Sequence, residues 1–155
     1  MLTAEIKDLF RPLEKGITLV ITVGNTFRSD DGVGPYVARN IAESKGHISV
    51  LDARDKPENV LDKAVDLRPL RTILIDAADF GGRPGEVRLI PGDSFPDTTL
   101  STHIFPLRII AKILSEDTGA EVLFLGIQPG NMSYGEDLSP RVKESAEEII
   151  ALLKG

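Results

Sequence analysis

The chain has 155 residues, enough for one domain with a sizeable core, and its 41% hydrophobic and 27% charged residues match a folded globular protein. It contains no cysteine, which excludes disulfides, iron–sulfur ligation, thiolate zinc sites and a cysteine nucleophile. A formal net charge of −6 without any Lys/Arg-rich segment argues against a nucleic-acid partner.

The N-terminal stretch MLTAEIKDLFRPLEKG is charged throughout and has no signal-peptide apolar region, and no apolar run approaches the roughly 18 residues that span a bilayer. The expectation is a cytoplasmic protein without membrane insertion, folded as a single domain over residues 1–155, with 1–16 as a peripheral N-terminal extension. Residues 17–23 (ITLVITV) form a β-branched run ending at Gly24-Asn25, the pattern of a strand buried on both faces. Val33, Val37, Ala38 and Ile41 then fall at helical spacing, with Gly46 as a stop signal. HISVLDA reads as a strand, PENVLDKAVDLR as a short helix and RTILIDAA as a third strand. EVRLIP is a further strand of unassigned direction, HIFPLRIIAKILSED a helix, EVLFLGIQP a strand, and SPRVKESAEEIIALLKG a closing amphipathic helix.

This alternation implies a three-layer α/β/α sandwich around a central, mainly parallel, twisted sheet. In such sheets ligands bind beyond the carboxyl ends of the strands, which directs attention to the loops after Val23, Asp52, Asp76 and Ile127. The first of these, GNTFRSDDGVG, lacks both the Gly-Lys-Ser/Thr ending of a phosphate-binding loop and the third glycine of a dinucleotide fingerprint. Asp30 or Asp31 there is equally suited to cap the following helix. Asp76 ends an apolar run, so its carboxylate leaves the sheet at the same edge, where a loop hydrogen bond is its alternative use. Of the two histidines, His47 precedes a strand and faces away from that edge, whereas His103 sits between a hydroxyl-rich loop and a helix, as a ligand, a cap or a solvated residue. Together Asp31, Asp76 and His103 suit a borderline divalent ion such as zinc or nickel, with coordination positions left open. HExxH and GxSxG are both absent, so a helix-borne zincin and a serine hydrolase lack their signatures.

GNTFRSDDGVGP resembles the N-terminal signature of the hydrogenase maturation proteases. The likeness continues in order through Leu51-Asp52 with Pro57-Glu58-Asn59, ILIDAADFGGRPGEVRLI, STHIFPL and FLGIQP, covering about residues 17 to 152. It implies an aspartic-type endopeptidase that removes the C-terminal extension of a nickel-loaded hydrogenase large-subunit precursor, cutting after a basic residue. The precursor is then the partner, nickel arrives with it, and no organic cofactor is involved. The family's two acids and its histidine correspond to Asp31, Asp76 and His103, as metal-contacting and catalytic residues. One segment departs from the family pattern: a glycine-containing stretch after the second strand is replaced by Asp52-Ala53-Arg54-Asp55. That makes Asp52 and Arg54 candidate substrate-binding residues. Two rival readings are a non-catalytic nickel-site chaperone and a magnesium-dependent phosphohydrolase using Asp30, Asp31 and Asp76.

Overall fold

The computed structural model describes residues 2–41, 46–92 and 106–155. Five strands form one sheet in the order β2-β1-β3-β5-β4. They are β1 (Thr18–Val23), β2 (Ile48–Arg54), β3 (Arg71–Ala77), β4 (Val87–Pro91) and β5 (Glu121–Ile127). β1, β2, β3 and β5 run parallel, while β4 pairs antiparallel with β5 at the edge. The β-branched run of β1 is buried along its whole length, as expected for a strand covered on both faces.

Alternation along the strands feeds two cores. On one face, Val20, Ile73, Ile75 and Ile127 pack with α2 (Val33–Arg39) through Val33 and Val37, and with α5 (Pro140–Lys154) through Val142, Ala146, Ile149 and Leu153. Helix α1 (Ala4–Asp8) joins this core through Ile6, flanked by Leu2, Leu9 and Phe10, all buried. On the other face, Leu19, Ile21, Leu74 and Phe124 meet Ala64 of α3 (Leu61–Leu67) and the Leu107, Ile110, Ala111 and Leu114 stripe of α4 (Leu107–Thr118). The result is the expected three-layer sandwich. Among the described residues no helix is long and apolar enough to cross a membrane.

The strand order positions the site. The chain leaves β1 toward β2 on one side and returns with β3 on the other, so the loops after β1 and β3 separate at a topological switch point, where open α/β sheets form their ligand crevices.

Candidate active site

Two glycines bring the loop after β1 hard against that edge. A side chain at Gly24 would run into the Asp31 carbonyl oxygen. A Cβ at Gly34 would stand 2.5 Å from the Val23 carbonyl oxygen and 3.0 Å from that of Ile75, which seats the start of α2 on the ends of β1 and β3. The 3-10 turn Ser29–Gly32 between them carries Asp30 and Asp31. Asp31 is 2% exposed, and its Oδ2 accepts the Asn25 N–H at 3.2 Å. Asp76 is fully buried on the neighbouring strand, and its Oδ1 accepts the N–H of Ala77 at 2.8 Å. In the alternation of β3 it shares parity with Leu74, which belongs to the core under α4, the helix that follows His103 in sequence.

The structure thus brings Asp31 and Asp76 to one edge from adjacent strands. Both are buried. His103 lies outside the described residues, so the three-residue set stands here as two acids. The described residues hold no group of three or more His, Asp or Glu side chains arranged for a metal ion. His47 lies at the opposite end of the sheet, where its carbonyl accepts from the N–H of Thr18 and its Nε2 is 3.2 Å from the Phe10 carbonyl oxygen.

Neither aspartate of the Asp30-Asp31 pair caps a helix, because the 3-10 turn and α2 both begin without a side-chain cap. Asp30 has another task. Its Oδ2 accepts from the Gly130 N–H, the Asn131 N–H and the Ser139 hydroxyl, each at 2.7 Å, and its Oδ1 accepts from the Ser139 N–H at 2.6 Å. A carboxylate so engaged is a fastening between segments and not a magnesium ligand, which removes the Asp30 part of the phosphohydrolase reading. Sequence reasoning missed it because the partners lie 100 residues and more along the chain.

A cleft of about 570 Å³ opens beyond β1 and β2, lined by residues that include Asn25, Phe27, Arg39, Asp52, Arg54 and Asp55. Asn25, which donates to Asp31, ties its wall to the first acid. Asp52 and Arg54 are both exposed there. The Asp52 Oδ1 accepts from the Thr22 hydroxyl at 3.3 Å and from the Arg54 N–H at 3.0 Å. The register slips at this point, with Thr22 opposite Asp52 but Val23 opposite Arg54. Arg54 absorbs the slip at φ 54°, left-handed backbone that a glycine adopts without cost. Gln128 ties down the loop after β3: its Oε1 accepts from the Phe80 and Gly82 N–H groups and its Nε2 donates to Asp79. Asp79 Oδ1 also accepts from the Gly81 N–H at 3.0 Å, and this bond, with that from Gln128, holds the Asp79 carboxyl below the usual carboxylate range.

A family model described as hydrogenase maturation protease matches residues 35–154. It begins just past Asp31 and contains Asp76. The hydrogenase 3 maturation protease of Escherichia coli is 37% identical over 139 residues, covering 88% of this chain and 88% of that protein. The crystal structure of a [NiFe] hydrogenase maturation protease HycI from Thermococcus kodakarensis superimposes with TM-score 0.83 at 30% identity, covering 98% of this chain and 100% of that one. The solution structure of the endopeptidase HycI from Escherichia coli gives TM-score 0.79 at 35% identity over 90% of each chain. Neither the chaperone nor the phosphohydrolase is favoured by these relatives. Matched along most of its length in both sequence and structure, the chain belongs to the hydrogenase maturation protease family and is an endopeptidase acting in hydrogenase maturation.

Proposed function

We propose that this endopeptidase removes the C-terminal extension of a nickel-loaded [NiFe]-hydrogenase large-subunit precursor, and that Asp31, Asp76 and His103 read the nickel the precursor carries. The observation that supports this most is the placement of two buried carboxylates, Asp31 and Asp76, at the switch point between β1 and β3. Two carboxylates and an imidazole, with no thiolate, suit a borderline divalent ion and leave coordination positions for donors of the partner. A structural zinc site usually closes four protein ligands around its ion, whereas an open three-ligand set accepts a metal already held by another protein.

In this reading nickel is part of the substrate. Once Asp31, Asp76 and His103 engage it, the tail is fixed in place and its scissile amide lies at the sheet edge. Water adds to the carbonyl carbon, the C–N bond breaks and the departing nitrogen takes a proton. Holding the reacting groups in register supplies a large part of the rate, since effective molarities of oriented groups reach about 10⁵–10⁸ M. The adjoining cleft receives the peptide, where Asp52 suits a basic residue beside the cut and Arg54 an acidic or carbonyl group of the chain.

The direct test mixes the purified protein with precursor and follows the C-terminus by mass. Loss of the tail with the parent enzyme, but not with Asp31→Asn, supports the reading. Stable complex formation with the tail intact points to a chaperone and overturns it.

A further inference from the structure

The turn carrying Asp31 does not rest in a conformation its own sequence favours. Ser29 sits at φ 50°, a left-handed backbone that costs a non-glycine residue energy and persists only where surrounding contacts impose it. Those contacts come from one distant segment. The Ser29 N–H donates to the Gly135 carbonyl at 2.7 Å, its hydroxyl to the Ser133 carbonyl at 2.8 Å, and the Asp30 N–H to the Asn131 carbonyl at 3.0 Å. In return the Gly135 N–H donates to the Phe27 carbonyl at 2.8 Å.

Asp30 is the centre of this exchange. It is fully buried, and both carboxylate oxygens receive donors from Gly130, Asn131 and Ser139. Ser139 immediately precedes α5, yet its hydroxyl does not cap that helix and serves Asp30 instead. Because Val142, Ala146 and Ile149 lock α5 into the core, the line from core helix to Ser139 to Asp30 ends one residue from Asp31.

We propose that Asp30 is a positioning residue: through Gly130, Asn131 and Ser139 it fixes the turn that carries Asp31, and so sets where that carboxylate meets the precursor's metal. This rests on the reading that Asp31 makes that contact. Asn at position 30 keeps the size of the side chain, but in either orientation its N–H₂ faces a backbone N–H, of Ser139 on one side or of Gly130 and Asn131 on the other, so it cannot replace the carboxylate.

The test compares Asp30→Asn, Ser139→Ala, Asp31→Asn and a core control on α1, Ile6→Val, on nickel-loaded precursor, well below the unfolding temperature of each variant. Turnover at saturating precursor, KM and thermal stability are measured together. Asp30→Asn is expected to lower turnover by about 10²-fold, the scale of a misplaced catalytic group, while KM moves by less than about 3-fold. Ser139→Ala, which removes one donor and leaves the backbone N–H bonds, lowers turnover by about 3-fold, in line with one lost hydrogen bond. Ile6→Val loses stability but turns over at the parental rate. If Asp30→Asn does not fold, Ser139→Ala decides, and parental turnover there overturns the proposal. Folded Asp30→Asn with parental turnover, or with only a raised KM, also overturns it. Should Asp31→Asn be inactive beside a fully active Asp30→Asn, the positioning role alone falls; should Asp31→Asn itself process normally, the reading of the site falls with it.

Discussion

Replacing Arg54 by glycine should raise stability while changing substrate selection. Arg54 occupies left-handed backbone at φ 54° because the register slips between Thr22 and Val23. An L-residue held there costs about 1–2 kcal/mol, which glycine recovers. Against this, glycine gives the unfolded chain extra freedom worth about 0.5–1 kcal/mol. The hydrogen bonds at this position survive the change, since both the Arg54 N–H to Asp52 and the Gly24 N–H to the Arg54 carbonyl, at 2.6 Å, involve only the backbone of residue 54. The net gain is therefore about 0–1.5 kcal/mol, and for a domain of this length each kcal/mol shifts Tm by about 2–4 °C, giving a rise of up to about 6 °C. Arg54→Ala deletes the same cation but keeps the backbone cost, so its Tm should not rise. Circular-dichroism melts of the three proteins, with processing rates on two related precursors, separate the effects. A drop of several degrees for the glycine variant would refute the strain argument, and unchanged relative rates on the two precursors would remove Arg54 from substrate selection.

Asp31→Asn and Asp76→Asn should each abolish processing in a folded protein, whereas Asp76→Ala should also lose about 1–3 kcal/mol in denaturant unfolding, because it strips the buried Ala77 N–H of its acceptor. Normal processing by either asparagine variant would show that acid to be structural. His103→Ala should lose cleavage of nickel-loaded precursor, and parental cleavage would take the imidazole out of the site. Tyr36 on α2 donates a hydrogen bond to Glu147 on α5, and this bond, with burial, raises its pKa above 10.0. A raised folded-state value means the contribution is full below the unfolded pKa and is lost as pH rises through the folded one. The stability difference between parent and Tyr36→Phe should thus be constant up to about pH 10 and shrink above it; a difference that stays flat to higher pH would refute the assignment.

The layers were legible because their signals are local. The ITLVITV run has the β-branched continuity of a strand covered on both faces, and the helices show apolar residues at helical spacing. The direction of β4 was not, since a five-residue strand with partly buried side chains carries no mark of parallel or antiparallel pairing. Among candidate site residues, Asp31 and Asp76 were reachable because each follows or ends a recognisable strand. Their burial was not, because it depends on how the Ser29–Gly32 turn folds back over the ends of β1 and β3. Local capping logic treated Asp30 and Asp31 alike, while what separates them is a segment from Gly130 to Ser139 that no short-range pattern connects to the turn. Arg54 gave no sign of left-handed backbone by its own chemistry, and only the expectation of glycine at that point in the family pattern drew attention to it.

On the proposed reading, the enzyme cuts the tail only when nickel is present in its partner. Purified large-subunit precursor, prepared nickel-free and nickel-loaded, is incubated with the protein, and the mass of the C-terminus is read over time. Shortening of the nickel-loaded form alone, at a single bond after a basic residue, is the expected result. Equal shortening of the nickel-free form would contradict the substrate-borne-metal account.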